Sequence, residues 1–172
     1  VLGEQMRADV DPLNATDFAT ENLFGVFVTQ SLAGGEVMPY LLQGGLGMPE
    51  REYYLSADAK MAGLRDKYRG YIAQVLTAAG QVDAAAKAER IFRLETKIAT
   101  AHATRGESED FTKSADEWAR GDFAKLAPGI DWEAFFAAAQ LGKQQKFAAY
   151  HAKAIGRISA LVASEPLDSW KD

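Results

Sequence analysis

The stretch SADAKMAGLRDKYRGYIAQVLTAAG (Ser56–Gly80) sets the fold class, because its apolar residues recur at the period of a helix. Met61, Leu64, Tyr68, Tyr71, Ile72, Val75 and Leu76 fall at spacings of three and four, which puts them on one face. Ser56 is placed to cap the start and Gly80 to end it. A second helix follows from near Asp83 to about Ala103, striped by Ala84, Ala88, Ile91, Leu94, Ile98 and Ala101. So short a connection predicts that the two pack antiparallel. Each large side chain buried between them contributes about 1.5–3 kcal/mol, enough for the pair to anchor a fold.

Towards the N-terminus the period changes. Leu23 to Thr29 is rich in β-branched and aromatic residues, and Val37 to Leu42 is a second apolar run beyond Ala33-Gly34-Gly35. These predict a small β-hairpin, with Pro39 confining its second strand to an edge. Glu4 to Glu21, broken by Asp11-Pro12 and Asn14, predicts loop or a short helix. Gln43-Gly44-Gly45-Leu46-Gly47-Met48-Pro49 then interrupts both periods. Its glycines imply a tight turn, positive φ or a close approach of backbone.

Towards the C-terminus, an exposed connector (Arg105 to Asp110) leads to a short helix capped by Ser114 and another around Asp122 to Leu126. Pro128-Gly129 stops that one. Asp131 caps a helix carrying Trp132, Phe135, Phe136 and Ala139, ending near Gly142. Phe147 to His151 suits an extended segment, and Ala152 to Ala163 a helix. Ser164-Glu165-Pro166 then opens an amphipathic helix with Leu167 and Trp170, which reaches Asp172 after about one and a half turns. A chain that opens on Val1 and closes on a freshly started helix is expected to be truncated at both ends. The fold class expected is mainly α: a helical lobe with an antiparallel helix hairpin and a small β-hairpin, residues 1–172 forming a single partial domain.

Composition narrows the chemistry. Of the 172 residues 48% are hydrophobic and 25% charged, as in ordinary globular proteins. The 24 acidic and 19 basic residues leave a net charge of −5, which argues against a general nucleic-acid surface. The densest basic stretch, Arg65, Lys67 and Arg69, reads as a solvated helix face. With no cysteine, disulfides, Cys-based zinc fingers and thiol nucleophiles drop out. No stretch approaches the roughly 18 apolar residues of a membrane span, and no signal peptide is visible at Val1.

Candidate catalytic groups do not assemble. The chain has two histidines, His102 and His151, far apart and without the His-Glu-x-x-His spacing of a zinc protease. His102, at a helix C-terminus, reads as a surface or interface residue satisfied by the helix dipole, and His151 as equally bland. Carboxylate pairs such as Asp83/Glu89, Glu107/Glu109 and Asp116/Glu117 are the chance product of an acidic chain. Acid–base catalysis needs two carboxylates in one desolvated cleft. No Gly-x-Ser-x-Gly marks a nucleophile. The glycine segment lacks the Lys-Ser/Thr of a phosphate loop and the dinucleotide spacing, and Glu50 and Glu52 would repel phosphate.

One segment goes beyond pattern. Pro39 to Leu55, PYLLQGGLGMPEREYYL, closely resembles a signature of the N-terminal region of neprilysin-type zinc metallopeptidases, the family that includes endothelin-converting enzymes and bacterial counterparts. That signature usually reads Gln-Gly-Gly-Leu-Gly-Leu-Pro-Asp-Arg-Asp-Tyr-Tyr; here Met48 replaces Leu, and Glu50 and Glu52 replace Asp. In the family's order follow Leu94-Glu95-Thr96-Lys97-Ile98-Ala99, then Ala127-Pro128-Gly129-Ile130-Asp131-Trp132, then Pro166-Leu167-Asp168-Ser169-Trp170-Lys171-Asp172. The first is similar to a Leu-Glu-x-x-Ile-Ala helix, the second to a Pro-Gly-x-x-Trp turn and the third to a Pro-Leu-x-x-Trp-Lys helix start.

The resemblance implies a two-lobed parent enclosing a cavity, with zinc held in the C-terminal part by His-Glu-x-x-His and a later Glu-x-x-x-Asp. None of those residues exists here, so no catalytic or metal residue is assigned and no cofactor is expected in this chain. Gly44, Gly45, Gly47, Pro49, Arg51 and Tyr53 are carried over as signature positions of structural role. The glycines would permit close packing, Pro49 would fix the turn, and Arg51 would pair with a carboxylate at a lobe contact. The expected function is that of a non-catalytic lobe, partnered by the catalytic lobe of the same polypeptide and restricting the parent to small peptides. By analogy the parent is periplasmic or in the cell envelope. The alternative is a stand-alone helical module that binds peptides or a protein without hydrolysing them.

Overall fold

The computed structural model describes residues 22–32, 34–108 and 115–172. The expectations for Glu4 to Glu21, and the cap at Ser114, lie outside the described residues. Helices dominate, and the chain divides into two compact units. The first comprises the residues up to Gly45 with His102–Ser164, the second Leu46–Ala101 with Glu165–Asp172.

The first unit is built on a mixed sheet. Among the described residues it has four strands, β1 (Phe24–Gln30), β2 (Val37–Gln43), β3 (Ala115–Ala119) and β4 (Lys146–Tyr150), in the order β1-β2-β4-β3. β1 and β2 pair antiparallel from Phe24↔Gln43 to Gln30↔Val37. β4 joins β2 in parallel at Tyr40↔Ala148 and Leu41↔Ala149, and β3 closes antiparallel on β4. The expected hairpin strands are thus half of a larger sheet, and β2 is interior. Pro39 is tolerated there because it precedes Tyr40 and Leu41, the residues paired with β4. The stretch after residue 114, expected as a short helix, is strand β3, which pairs along its whole length with β4.

Short helices cover this unit: α4 (Arg105–Ser108), α5 (Phe123–Leu126), α6 (Trp132–Ala138) and α7 (Ala152–Ser164). Asp131 caps α6 by accepting from Ala134 N. The aromatic residues expected on α6 meet those of the strands. Phe123 is fully buried and lies edge-on to Trp118, Phe136 and Phe147, 5.0–5.2 Å between centroids, with Trp132 tilted at 4.9 Å. Such offset and T-shaped contacts are the favoured aromatic geometries.

The second unit holds α1 (Arg51–Leu55), α2 (Ala59–Ala78), α3 (Ala84–Ala101) and α8 (Leu167–Lys171). α2 is capped by Asp58, whose carboxylate accepts from Lys60 N and Met61 N. Ser56, the expected cap, instead closes α1, its own N–H reaching Glu52 O. Gly80, at φ 72, ends α2 as expected. Of the α2 stripe, Ile72 is buried, whereas Tyr71 and Val75 are exposed. α8 is held to α3 by Lys97–Glu165 at 2.6 Å and Arg90–Asp172 at 2.5 Å. No helix among the described residues is long and apolar enough to cross a membrane.

Candidate functional site

The signature segment begins in the first unit, as β2 ends. Gly44 N donates to Leu23 O at 3.1 Å, and the Gly44 carbonyl accepts from His102 Nε2 at 2.8 Å. That bond fixes the imidazole proton on Nε2. His102 is buried and held by a backbone carbonyl, so of the two places expected for it, surface or interface, the surface one is corrected. Gln43 Oε1 accepts from Ala103 N at 2.8 Å. A Cβ at Gly44 would collide with the Asn22 carbonyl, and Gly45 sits at φ 82, so close packing and left-handed backbone account for the pair.

The segment continues in the second unit. A Cβ at Gly47 would overlap Tyr68 Oη and meet Glu95 Oε1 at 3.2 Å. Glu95 gathers the surroundings of this glycine: its carboxylate accepts from Tyr54 Oη at 2.8 Å and Tyr68 Oη at 3.0 Å. Tyr54 Oη in turn accepts from Met48 N at 2.9 Å. Phe92 stacks on Tyr54 and lies edge-on to Tyr68. Burial, reinforced by the Glu95 carboxylate, pushes the Tyr54 hydroxyl far above its ordinary range.

The remaining signature residues anchor backbone. Pro49 lies in the bend before α1, and Tyr53 N reaches Glu50 O at 3.1 Å. Arg51 Nε donates to the Ala99 carbonyl of α3 at 3.3 Å, and its Nη1 to the adjacent Glu52 at 2.8 Å. Its carboxylate partner is thus its chain neighbour. Arg65, read as part of a solvated face, donates to the Tyr53 and Ser56 carbonyls at 3.1 and 3.0 Å, tying the end of α1 to α2.

The Pro-Gly-x-x-Trp turn lies in the first unit and works the same way. The Ala127 carbonyl accepts from Trp132 Nε1 at 2.6 Å and lies 2.7 Å from Ser159 Oγ of α7. A Cβ at Gly129, at φ 118, would collide with the Ser159 carbonyl. Sequence reasoning missed Tyr54, Tyr68, Glu95 and Ser159 as partners of the signature positions. Glu95 did carry a signal, since it stands in the matched Leu94–Ala99 stretch.

Chemically these groups hold a fold together. Among the described residues no three His, Asp or Glu come together as a metal site. His102 is committed to Gly44, and neither ring nitrogen of His151 has a hydrogen-bond partner among the described residues. Among the described residues no group of side chains fits the zinc that the resemblance implies.

Comparison with known proteins gives these contacts their context. The model for the N-terminal region of peptidase family M13 matches residues 6–172. Among solved structures, the zinc metalloprotease Zmp1 of Mycobacterium tuberculosis in complex with an inhibitor superposes with a TM-score of 0.85 at 23% identity. That match covers 99% of this chain and 25% of that one. The open state of the same protease gives 0.83 at 24% identity, again with 99% and 25% covered. Its partial open state gives 0.64 at 26%, with 99% and 24% covered. The chain thus spans about a quarter of the length of the solved structures it matches. No curated protein matches it. With the signature, the helix and turn motifs and the family match running in one order along it, the chain belongs to peptidase family M13, as an N-terminal portion of the neprilysin type.

Proposed function

We propose that this chain is the non-catalytic N-terminal lobe of a zinc metalloendopeptidase that hydrolyses small peptides. In this reading it covers the active-site cavity and limits what enters. The zinc and its ligands belong to the C-terminal catalytic lobe of the same polypeptide, where the metal would activate water against a peptide bond. The parent would be periplasmic or located in the cell envelope. The observation that carries the reading is the family match over residues 6–172, in a chain that spans a quarter of a zinc metalloprotease of the same fold. Exposed Tyr71, Val75 and Val82 of the second unit, and Phe27, Val28 and Val37 of the first, add support, since a lobe needs apolar surface for the rest of its polypeptide.

The coding sequence beyond Asp172 tests this directly. The reading expects His-Glu-x-x-His followed by Glu-x-x-x-Asp. A continuation with those ligands replaced would leave a peptide-binding protein without hydrolysis.

A further inference from the structure

Among the described residues of the first unit, His151 is the least settled group. It stands between β4 and α7 at φ 60, a left-handed backbone that few side chains adopt. Its carbonyl accepts from Ala154 N and Ile155 N, so it occupies the N-terminal cap of α7, where a positive charge meets the unfavourable end of the helix dipole. Both ring nitrogens are shut off from solvent and, among the described residues, make no hydrogen bond. A neutral ring tolerates that placement poorly, and an imidazolium, with two N–H groups to satisfy, far worse. Desolvation accordingly holds its pKa below the ordinary imidazole value, with the Glu107 carboxylate pulling weakly the other way.

Beside it lies a cavity of about 220 Å³, lined by His151 with Glu107 of α4, Asp116 of β3, and Lys153 and Arg157 of α7. Glu107 is kept ionised by the Thr104 N–H and hydroxyl, with Arg157 and Lys153 adding to the effect. Tyr150, the preceding residue on β4, meets the imidazole edge-on at 4.3 Å. The cavity next door carries two carboxylates, Glu107 and Asp116, together with two cations, Lys153 and Arg157, so a charged ring is stabilised there only where it contacts the carboxylates directly.

We propose that the β4–α7 junction is a proton-operated latch, in which neutral His151 seals the junction and protonated His151 swings into the adjoining cavity to pair with Glu107 and Asp116. The sign follows from the placement. The closed ring binds its proton less readily than an exposed imidazole. The latch is thus closed above the pKa of the open ring, which pairing with the carboxylates holds at or above the ordinary value of about 6.5, and is lost as pH falls from there towards the closed-state value. Across that window uptake of one proton raises the open population about tenfold per pH unit.

The test is amide hydrogen exchange of residues 147–155 in the whole chain between pH 8 and 5, corrected for intrinsic exchange. The wild type is expected to lose protection about tenfold per pH unit below about 6.5. His151→Asn tolerates the left-handed backbone and cannot titrate, so it is expected to show no such loss. Retention of the loss in H151N, or flat protection in the wild type, would overturn the latch. If H151N does not fold, the double variant Glu107→Gln, Asp116→Asn removes the receiving carboxylates. It is expected to move the onset to lower pH, and an unmoved onset would be equally damaging.

Discussion

At the residue scale, Gly47 makes the sharpest claim, because a methyl there would occupy the space of Tyr68 Oη beside Glu95. Gly47→Ala is expected to cost about 1–3 kcal/mol in urea unfolding, the range for overpacking a filled site. Gly63→Ala, on the exposed face of α2 with nothing near its Cβ, should instead be neutral or stabilise by up to about 1 kcal/mol. Equal effects at the two positions would mean that the contact with Tyr68 and Glu95 does not explain the signature glycine. Tyr54 supplies a pH test. Above pH ~10 an unfolded tyrosine ionises while buried Tyr54 stays neutral, so stability falls as pH rises. Tyr54→Phe should make that alkaline slope shallower, read as unfolding midpoints from pH 9 to 11. The glycines were legible because interrupted periodicity is local. Their reasons were not, since Glu95 meets Tyr54 and Tyr68 from 41 and 27 residues away. The burial of His102 was hidden for the same cause: its partner, Gly44, is 58 residues distant.

At the scale of elements, the long helices were readable and the sheet only in part. α2 and α3 carry their own period, and their ends fall within a few residues of the expected ones. β3 offers no such pattern: Ala115-Asp116-Glu117-Trp118-Ala119 is extended because β4 lies beside it, a long-range pairing that propensity does not encode. The same non-local term displaced Pro39 from an edge strand to an interior one. The α6 aromatics were named correctly as apolar, but that they converge on Phe123 required the fold. Phe123→Ala, at a position with no exposure and four aromatic neighbours, should cost about 3–5 kcal/mol in chemical denaturation. Gly129→Ala, strained at φ 118 and blocked by the Ser159 carbonyl, should lose about 1–3 kcal/mol. A loss below about 0.5 kcal/mol there would remove the turn from the structural core of the account.

At the scale of the molecule, four ordered motifs and a family match place the chain in the N-terminal region of peptidase family M13. The signature positions serve packing, and the described residues form no metal site. The most direct measurement is hydrolysis by the full-length parent of peptides of increasing length and of a folded protein, with and without a zinc chelator. The account predicts cleavage of short peptides, abolished by the chelator, falling away with length and absent for the folded protein. A parent that binds the peptides without cleaving them, or that cuts the folded protein as readily, would contradict it.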